Sequence, residues 1–289
     1  MSVELLRQRE IVSPLFSVIT ICLNPGGKLE DTVNSVLTQS FSDFEFIIKD
    51  GGSSDGSIQA LPGDSRIQRI TSSDMGIYDA MNGALARASG AYILFLNAGD
   101  TFFGNDVLKQ VALKIERSDY PSLLYTDYTT KEDPSQTYVQ PHQLSGFTLF
   151  CNTLNHQTCY FDRRFYDQLG VFDAAYRIWG DYDFLLRFWK RKPVSTVHLP
   201  IVGTVYEGGG ISTKRDNLDI GLRELRKARR KNFSESERAY YGALRCCTIP
   251  TIRSWMVSSH SPMAVKRMYI TVRNILYKAA MLLHGGGAS

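Results

Sequence analysis

The chain has 289 residues, 43% of them apolar and 11% aromatic, enough to bury one large α/β core, or one core with a helical appendage, without staples. That excludes a disordered chain and a disulfide scaffold. The formal net charge of +4 hides a division: residues 1–213 hold 18 basic against 24 acidic side chains (−6), and residues 214–289 hold 15 against 5 (+10).

In chain order, the β-branched run 16–23 (FSVITICL), between Pro14 and Asn24-Pro25-Gly26-Gly27, predicts a buried strand. Leu29, Val33, Val36 and Leu37 then fall at helical spacing. A second strand is expected over Phe44–Lys49, ending at DGGSSDGS (residues 50–57), and a third near Ile67–Thr71. Ile77, Met81, Ala84, Leu85 and Ala88 mark one face of an amphipathic helix that Gly90 ends. The fourth strand, Tyr92–Leu96, runs straight into Asn97-Ala98-Gly99-Asp100. Beyond residue 120 strand-like runs are shorter (123–126, 158–161 and 194–199), and GDYDFLLRFWK (180–190) reads as a helix. Asp181 and Asp183 lie in its first turn, where a capping role is the plain alternative to a functional one. From Asp216 onward helical patterns dominate.

Strands alternating with helices imply βαβ units and a mostly parallel sheet with right-handed crossovers. Such sheets bind ligands at the carboxyl ends of their strands. The loops at those ends collect Asn24, then Asp50 and Asp55, then Asn97 and Asp100, although turns favour the same residue types.

The longest strictly apolar run, Ala91–Leu96, is far short of the roughly 18 to 20 residues of a spanning helix. Pro14 and the Asn-Pro-Gly-Gly turn break the uncharged stretch 11–27, so a cytoplasmic location is expected. The five cysteines, with Cys246 and Cys247 adjacent and no CxxC, argue against a structural zinc site or a disulfide framework. NPGGKLED after the first strand matches neither a dinucleotide fingerprint nor a P-loop, and no G-x-S-x-G elbow occurs. Structural roles are the default for the lone histidines His156 and His198.

Taken together and in order, ICLN, IIKDGGSSDGS, SDMGIYDAMNGALARASGAYILFLNAGD, HQTCYF, GDYDFLLRF and GGGIS resemble glycosyltransferase family 2, over roughly residues 14–213. Within it they are most similar to bacterial enzymes that assemble O-antigen, colanic acid and related surface polysaccharides. The resemblance implies a GT-A fold, a Rossmann-like αβα sandwich with a mixed, mostly parallel sheet. It also implies transfer of a sugar from a nucleotide diphosphate, most often uridine diphosphate, with inversion. Such a displacement needs one general base for the acceptor hydroxyl and neutralisation of the leaving diphosphate, usually by Mg²⁺ or Mn²⁺.

On this resemblance Thr20, Asn24 and Asp50 match base and ribose positions, Asp74 and Asn82 line the nucleotide pocket, and Asn97 and Asp100 occupy the place of the metal motif. Asn97 and Gly99 replace two of that motif's carboxylates, which leaves Asp100 as metal ligand and predicts weak, millimolar metal dependence. Asp181 matches the family's base and Asp183 is the alternative. The two project about 200° apart on a helix, so both cannot face one acceptor. His156, Gln157, Gly209 and Gly210 match stretches near acceptor and diphosphate.

Outside the resemblance, 222–231 (LRELRKARRK) reads as a solvated helix face. Over 261–284 Val265, Tyr269, Val272, Leu276, Ala279 and Leu283 share a face opposite Lys266, Arg267, Arg273 and Lys278, a basic amphipathic helix of the kind that lies on an anionic membrane. Self-association and packing on the catalytic domain are the alternatives. The expected organisation is an extension (1–13), a catalytic domain (14–213) and a basic helical region (214–289). The expected activity is inverting glycosyl transfer to a polyprenyl-linked glycan at the inner membrane face, without nucleic acid; a catalytically silent nucleotide-sugar or membrane-binding module is the alternative.

Overall fold

The computed structural model describes residues 13–210 and 215–247. The first half follows the expected alternation. Strand β1 (Phe16–Cys22) leads through the Asn-Pro-Gly-Gly turn into helix α1 (Lys28–Leu37), which buries Leu29, Val33 and Val36 at helical spacing. Strands β2 (Phe44–Asp50) and β3 (Ile67–Thr71), helix α2 (Ile77–Leu85) and strand β4 (Tyr92–Phe95) complete it. These four strands are mutually parallel, in the order β3-β2-β1-β4.

The second half is mixed. It contains β5 (Thr101–Phe102), α3 (Val107–Arg117), β6 (Leu123–Thr130), α4 (Gly146–Cys151), a 3₁₀ turn at His156–Thr158 and β7 (Cys159–Asp162). After these come α5 (Arg164–Leu169), α6 (Gly180–Lys190), β8 (Thr196–Tyr206), α7 (Leu218–Asn232) and α8 (Glu235–Cys247). Among the described residues the strands form one eight-stranded sheet, β3-β2-β1-β4-β7-β6-β8-β5. There β7 runs antiparallel to β4 and β6, β8 is parallel to β6, and β5 is antiparallel to β8.

The pleat divides each strand between two cores. Phe16, Val18, Phe46, Ile48, Leu94 and Tyr160 cluster with the apolar stripes of α1 and α3. On the other face α2 crosses β1 and β2. Beside it Phe161 packs edge-on against Phe184 and Phe188 of α6, with ring centroids 5.3 and 5.2 Å apart. Edge-to-face pairs of this kind add about 0.5–1.5 kcal/mol each to the area they bury.

A buried carboxylate ties three elements together beneath the sheet. Glu45 Oε1 accepts from Ser17 Oγ (2.6 Å), Ser89 N (2.6 Å) and Gly90 N (3.1 Å). Gly90 lies so close to β1 that a Cβ there would meet Ser17 N at 2.4 Å, which explains why the helix-to-strand turn ends on glycine.

The basic helix α7 departs from the solvated face that its sequence suggests. Ala228 and Asn232 are buried, and Glu224 accepts the backbone N–H groups of Arg177, Ile178 and Trp179 just ahead of α6. By its internal contacts the chain divides between Tyr241 and Gly242, within α8, and the sheet, both cores and α1 to α7 belong to the first unit. No helix among the described residues is long and apolar enough to cross a membrane. The amphipathic pattern over 261–284 lies outside the described residues, as do residues 1–12 of the expected extension.

Candidate active site

The loops after β1, β2 and β4 meet at the carboxyl edge of the sheet. Asn24 sits in a left-handed backbone (φ +48°), its N–H donating to Ser53 Oγ (2.7 Å) and its Oδ1 accepting Ser54 N (2.9 Å). Asp55 Oδ2 accepts Gly26 N at 2.8 Å. Asp50, at the end of β2, is 2% exposed and turns its own loop by accepting Ser53 N and Oγ at 2.9 and 2.6 Å. Thus DGGSSDGS grips NPGG through side chains rather than through strand pairing.

Asp74 joins this edge through a residue that sequence reasoning passed over. Lys49, whose side chain is 2% exposed, reaches Asp74 at 2.6 Å and Ser72 O at 2.7 Å. A lysine following the apolar run Phe46–Ile48, just before a glycine-rich loop, was the available signal. A Cβ on Gly51 would lie 3.4 Å from Asp74 Oδ2, so the carboxylate borders the loop after β2.

Three expected site residues have other tasks. Thr20 is fully buried and donates to Leu96 O at 2.6 Å, a clamp between the β1 and β4 strand ends rather than a ligand contact. Asn82 uses both ends of its amide on the backbone of one residue: Nδ2 donates to Phe172 O (2.9 Å) and Oδ1 accepts Phe172 N (3.0 Å), fastening the loop before α6 to α2. Asp183 is 0% exposed, with Arg187 Nε at 3.0 Å, Lys231 Nζ at 3.2 Å and Asn232 Nδ2 at 3.0 Å. It anchors α7 to α6 and does not face a ligand, which corrects its assignment as an alternative base.

Asp181 points the other way. Its Oδ1 accepts Tyr182 N at 2.8 Å and lies 3.1 Å from the hydroxyl of Tyr78, which itself donates to Ile178 O (2.6 Å). Its Oδ2 is 3.3 Å from His156 Nδ1. Gly180 is needed here because a Cβ would touch the Tyr78 ring at 2.8 Å. On its far side the His156 ring places Nε2 3.0 Å from Asn97 Nδ2, while Asn97 Oδ1 is buried without a hydrogen-bond partner among the described residues. The 3₁₀ turn, capped by Asn155 Oδ1 on Gln157 N (3.3 Å), therefore carries one imidazole between the β4 loop and the first turn of α6.

The pair borders a water-sized, largely apolar cavity of about 20 Å³ whose lining also includes Met81, Phe95, Leu154, Phe172 and Leu185. Burial lowers the pKa of His156, but the hydrogen bond and charge of Asp181, with the charge of Asp100, outweigh it and hold the ring above its ordinary value. Burial, then the Asp181 charge, pushes the Tyr78 hydroxyl well up, so it stays a donor.

Asp100 is 3% exposed; its Oδ1 accepts Glu207 N at 2.9 Å, and the Gln157 side chain also donates to it. Burial holds its carboxyl above the usual range against those donors and the His156 charge. Glu207 in turn bridges Lys28 and Lys131, both at 2.7 Å. Its side chain fills the space beside Gly99, where a Cβ would meet Glu207 Cγ at 2.9 Å. Among the described residues no group of three His, Cys, Asp or Glu side chains could hold a metal. Asp100 Oδ1 holds a protein N–H and the neighbouring Glu207 carboxylate is paired with two lysines, so a cation at Asp100 would have this single carboxylate as protein ligand and draw the rest from diphosphate and water. Gly208 and Gly209 continue from Glu207 with φ +79° and +67°, and a Cβ on Gly210 would lie 3.4 Å from Tyr206 Oη. Gln157 and this glycine run thus adjoin the Asp100 loop, while His156 adjoins Asp181.

The edge therefore offers amide and carboxylate acceptors on one side and a carboxylate–imidazole pair on the other, an arrangement suited to positioning a polar donor and accepting a proton from a second substrate. The family model described as glycosyl transferase family 2 matches residues 17–175. A PGL/p-HBAD biosynthesis glycosyltransferase of Mycobacterium bovis is 30% identical over 208 residues, spanning 70% of this chain and 80% of that protein. Among solved structures, S. aureus TarS 1–349 in complex with UDP-GlcNAc superposes with a TM-score of 0.63 at 17% identity, over 78% of this chain and 70% of that one; against a longer TarS chain this protein covers 42%. The mannosyltransferase PcManGT of Pyrobaculum calidifontis, in complex with GDP-Man and Mn²⁺, gives 0.59 at 14% identity, over 92% and 81%.

Proposed function

The chain belongs to glycosyl transferase family 2 and is a glycosyltransferase, and from that premise we propose that it moves a sugar from a uridine diphosphate sugar to a hydroxyl of a lipid-linked oligosaccharide, with inversion, in bacterial surface polysaccharide assembly. The observation that carries the reading is the seating of Asp181: Tyr182 N–H and Tyr78 hold one oxygen, and the other is turned toward His156.

An inverting displacement is one step. The acceptor oxygen attacks the anomeric carbon, the bond to the diphosphate breaks, and the acceptor proton passes to a base seated at Asp181. Asn24, Asp50 and Asp74 supply acceptor atoms for base and ribose on the donor side. The carbonyl of Asn97 adds a buried acceptor that a donor hydroxyl would satisfy. The resemblance to TarS, solved with UDP-GlcNAc, supports a uridine donor. Mg²⁺ or Mn²⁺ belongs to the reading as a companion of the diphosphate, with Asp100 as its one carboxylate ligand and no step routed through it.

The acceptor and the location rest on charge. Residues 214–289 carry +10, and the outward face of α7 exposes Arg223, Arg226 and Arg230 beside Leu218 and Leu222, which are 61% and 48% exposed. Cations flanked by exposed leucines suit an anionic lipid surface, where a polyprenyl-linked acceptor resides. A panel of nucleotide sugars tests the reading. A uridine diphosphate sugar should raise the melting temperature and release uridine diphosphate when lipid-linked acceptor is added. Turnover confined to another nucleotide class would overturn the uridine donor, and no turnover with any donor would favour a silent binding module.

A further inference from the structure

We propose that the acceptor proton is received by Nε2 of His156, with Asp181 holding the imidazole from behind, so that the base of this enzyme is a dyad rather than a lone carboxylate. The proposal rests on the glycosyl transfer reading above and adds where the proton goes.

Geometry carries it. Asp181 Oδ1 is engaged by Tyr182 N–H and the Tyr78 hydroxyl, and the contact of Oδ2 is His156 Nδ1 at 3.3 Å. A carboxylate at Nδ1 draws the ring proton to that nitrogen and leaves the Nε2 lone pair as acceptor. In the free enzyme that lone pair faces Asn97 Nδ2 at 3.0 Å. It therefore points toward the β4 loop, where the donor is expected. The other end of the same amide, Asn97 Oδ1, is buried without a partner among the described residues and is an acceptor that a ligand hydroxyl would satisfy. The His156 side chain is also the more open of the two, at 30% against 22% for Asp181.

The groups facing the imidazole are Asp181 on α6, Asp100 from the β4 loop, Asn97 beside it, Cys159 at the start of β7 and, behind Asp181, Tyr78 on α2. Burial pushes the Cys159 thiol up to about 12, so it stays neutral. The two carboxylates are what raise the basicity of the ring, and a general base is most effective when it titrates near the working pH.

The step balances. The acceptor O–H bond breaks as the O–C1 bond forms, and the electron pair of the C1–O bond leaves with the nucleotide diphosphate. The proton bonds to Nε2, and the resulting imidazolium is neutralised by Asp181 through Nδ1–H. Release of that proton to water resets the enzyme.

The test is the pH dependence of kcat/KM for the full chain with a uridine diphosphate sugar and a lipid-linked acceptor, paired with an NMR titration of the histidine ring nitrogens. The wild-type rate should rise with pH through a limb above the ordinary imidazole value of about 6.5. In H156N it should fall about 10²–10⁴-fold with the limb moved into the carboxylate range, while donor binding is kept. In D181N the His156 titration should move down. A wild-type limb near 4, or an H156N enzyme within threefold of wild type, would overturn the dyad and leave Asp181 as sole base. Full turnover by D181N would overturn the underlying reading instead.

Discussion

Replacing Asp183 by Asn separates structural from catalytic carboxylates on the same helix. Asp183 is 0% exposed and lies within 3.2 Å of Arg187, Lys231 and Asn232. Breaking a buried pair by removing one partner costs about 3–5 kcal/mol. Two features place this case at the lower end: Arg187 keeps the carbonyls of Leu169, Gly170 and Val171 at 2.6, 3.1 and 2.8 Å, and Lys231 is 43% exposed with Asp173 at 3.5 Å. The expected loss is therefore about 3 kcal/mol, a fall of about 6–12 °C in melting temperature for a domain of this size. Urea unfolding gives the loss, and turnover per folded molecule, measured well below the midpoint, should stay within a few-fold of wild type. An Asp183→Asn protein of native stability whose turnover drops a hundredfold would refute the assignment and return this carboxylate to the active site.

Three further substitutions test how the edge of the sheet is built. Gly90→Ala pushes a methyl group to 2.4 Å from Ser17 N, against backbone that cannot yield, and should cost about 1–3 kcal/mol in denaturant unfolding; a neutral result would mean that the β1 contact is loose. Asp74→Asn strands the buried ammonium of Lys49 and should destabilise by about 3 kcal/mol, with Lys49→Met restoring most of the loss in the double variant; equal stability of Asp74→Asn and wild type would refute that pairing. Restoring the acidic residue of the family motif by Gly99→Asp should destabilise by about 1–3 kcal/mol, because the position has φ +102° and its Cβ would meet Glu207 Cγ at 2.9 Å. Calorimetry with Mn²⁺ and uridine diphosphate should show no gain in affinity for this variant, and a gain would mean that the added carboxylate reaches the cation.

Much of the frame was legible because it depends on local pattern. The runs at 16–23, 44–49, 67–71 and 92–96 became β1 to β4 with ends shifted by no more than one residue, and GDYDFLLRFWK became α6 with its expected bounds. The opposite projection of Asp181 and Asp183 followed from helix geometry. Which of them is buried did not, because the answer lies in Lys231 and Asn232, some fifty residues downstream. The structural partners of Thr20 and Asn82 were hidden for the same reason: Leu96 and Phe172 are 76 and 90 residues away. Short β5 and helix α3 also went unread, and the burial of one side of α7 was hidden by charged residues that run along its open face. Glu207 gave no signal of its own, yet it occupies the space that Gly99 leaves and pairs with Lys28 and Lys131.

The central claim is that a base seated at Asp181 serves glycosyl transfer at the carboxyl edge of the sheet. The most direct measurement is transfer of sugar to a lipid-linked acceptor by Asp181→Asn, beside equilibrium binding of uridine diphosphate to the same protein. The account predicts a loss of about 10²–10⁴-fold in kcat with nucleotide affinity unchanged. Wild-type transfer by Asp181→Asn would contradict it.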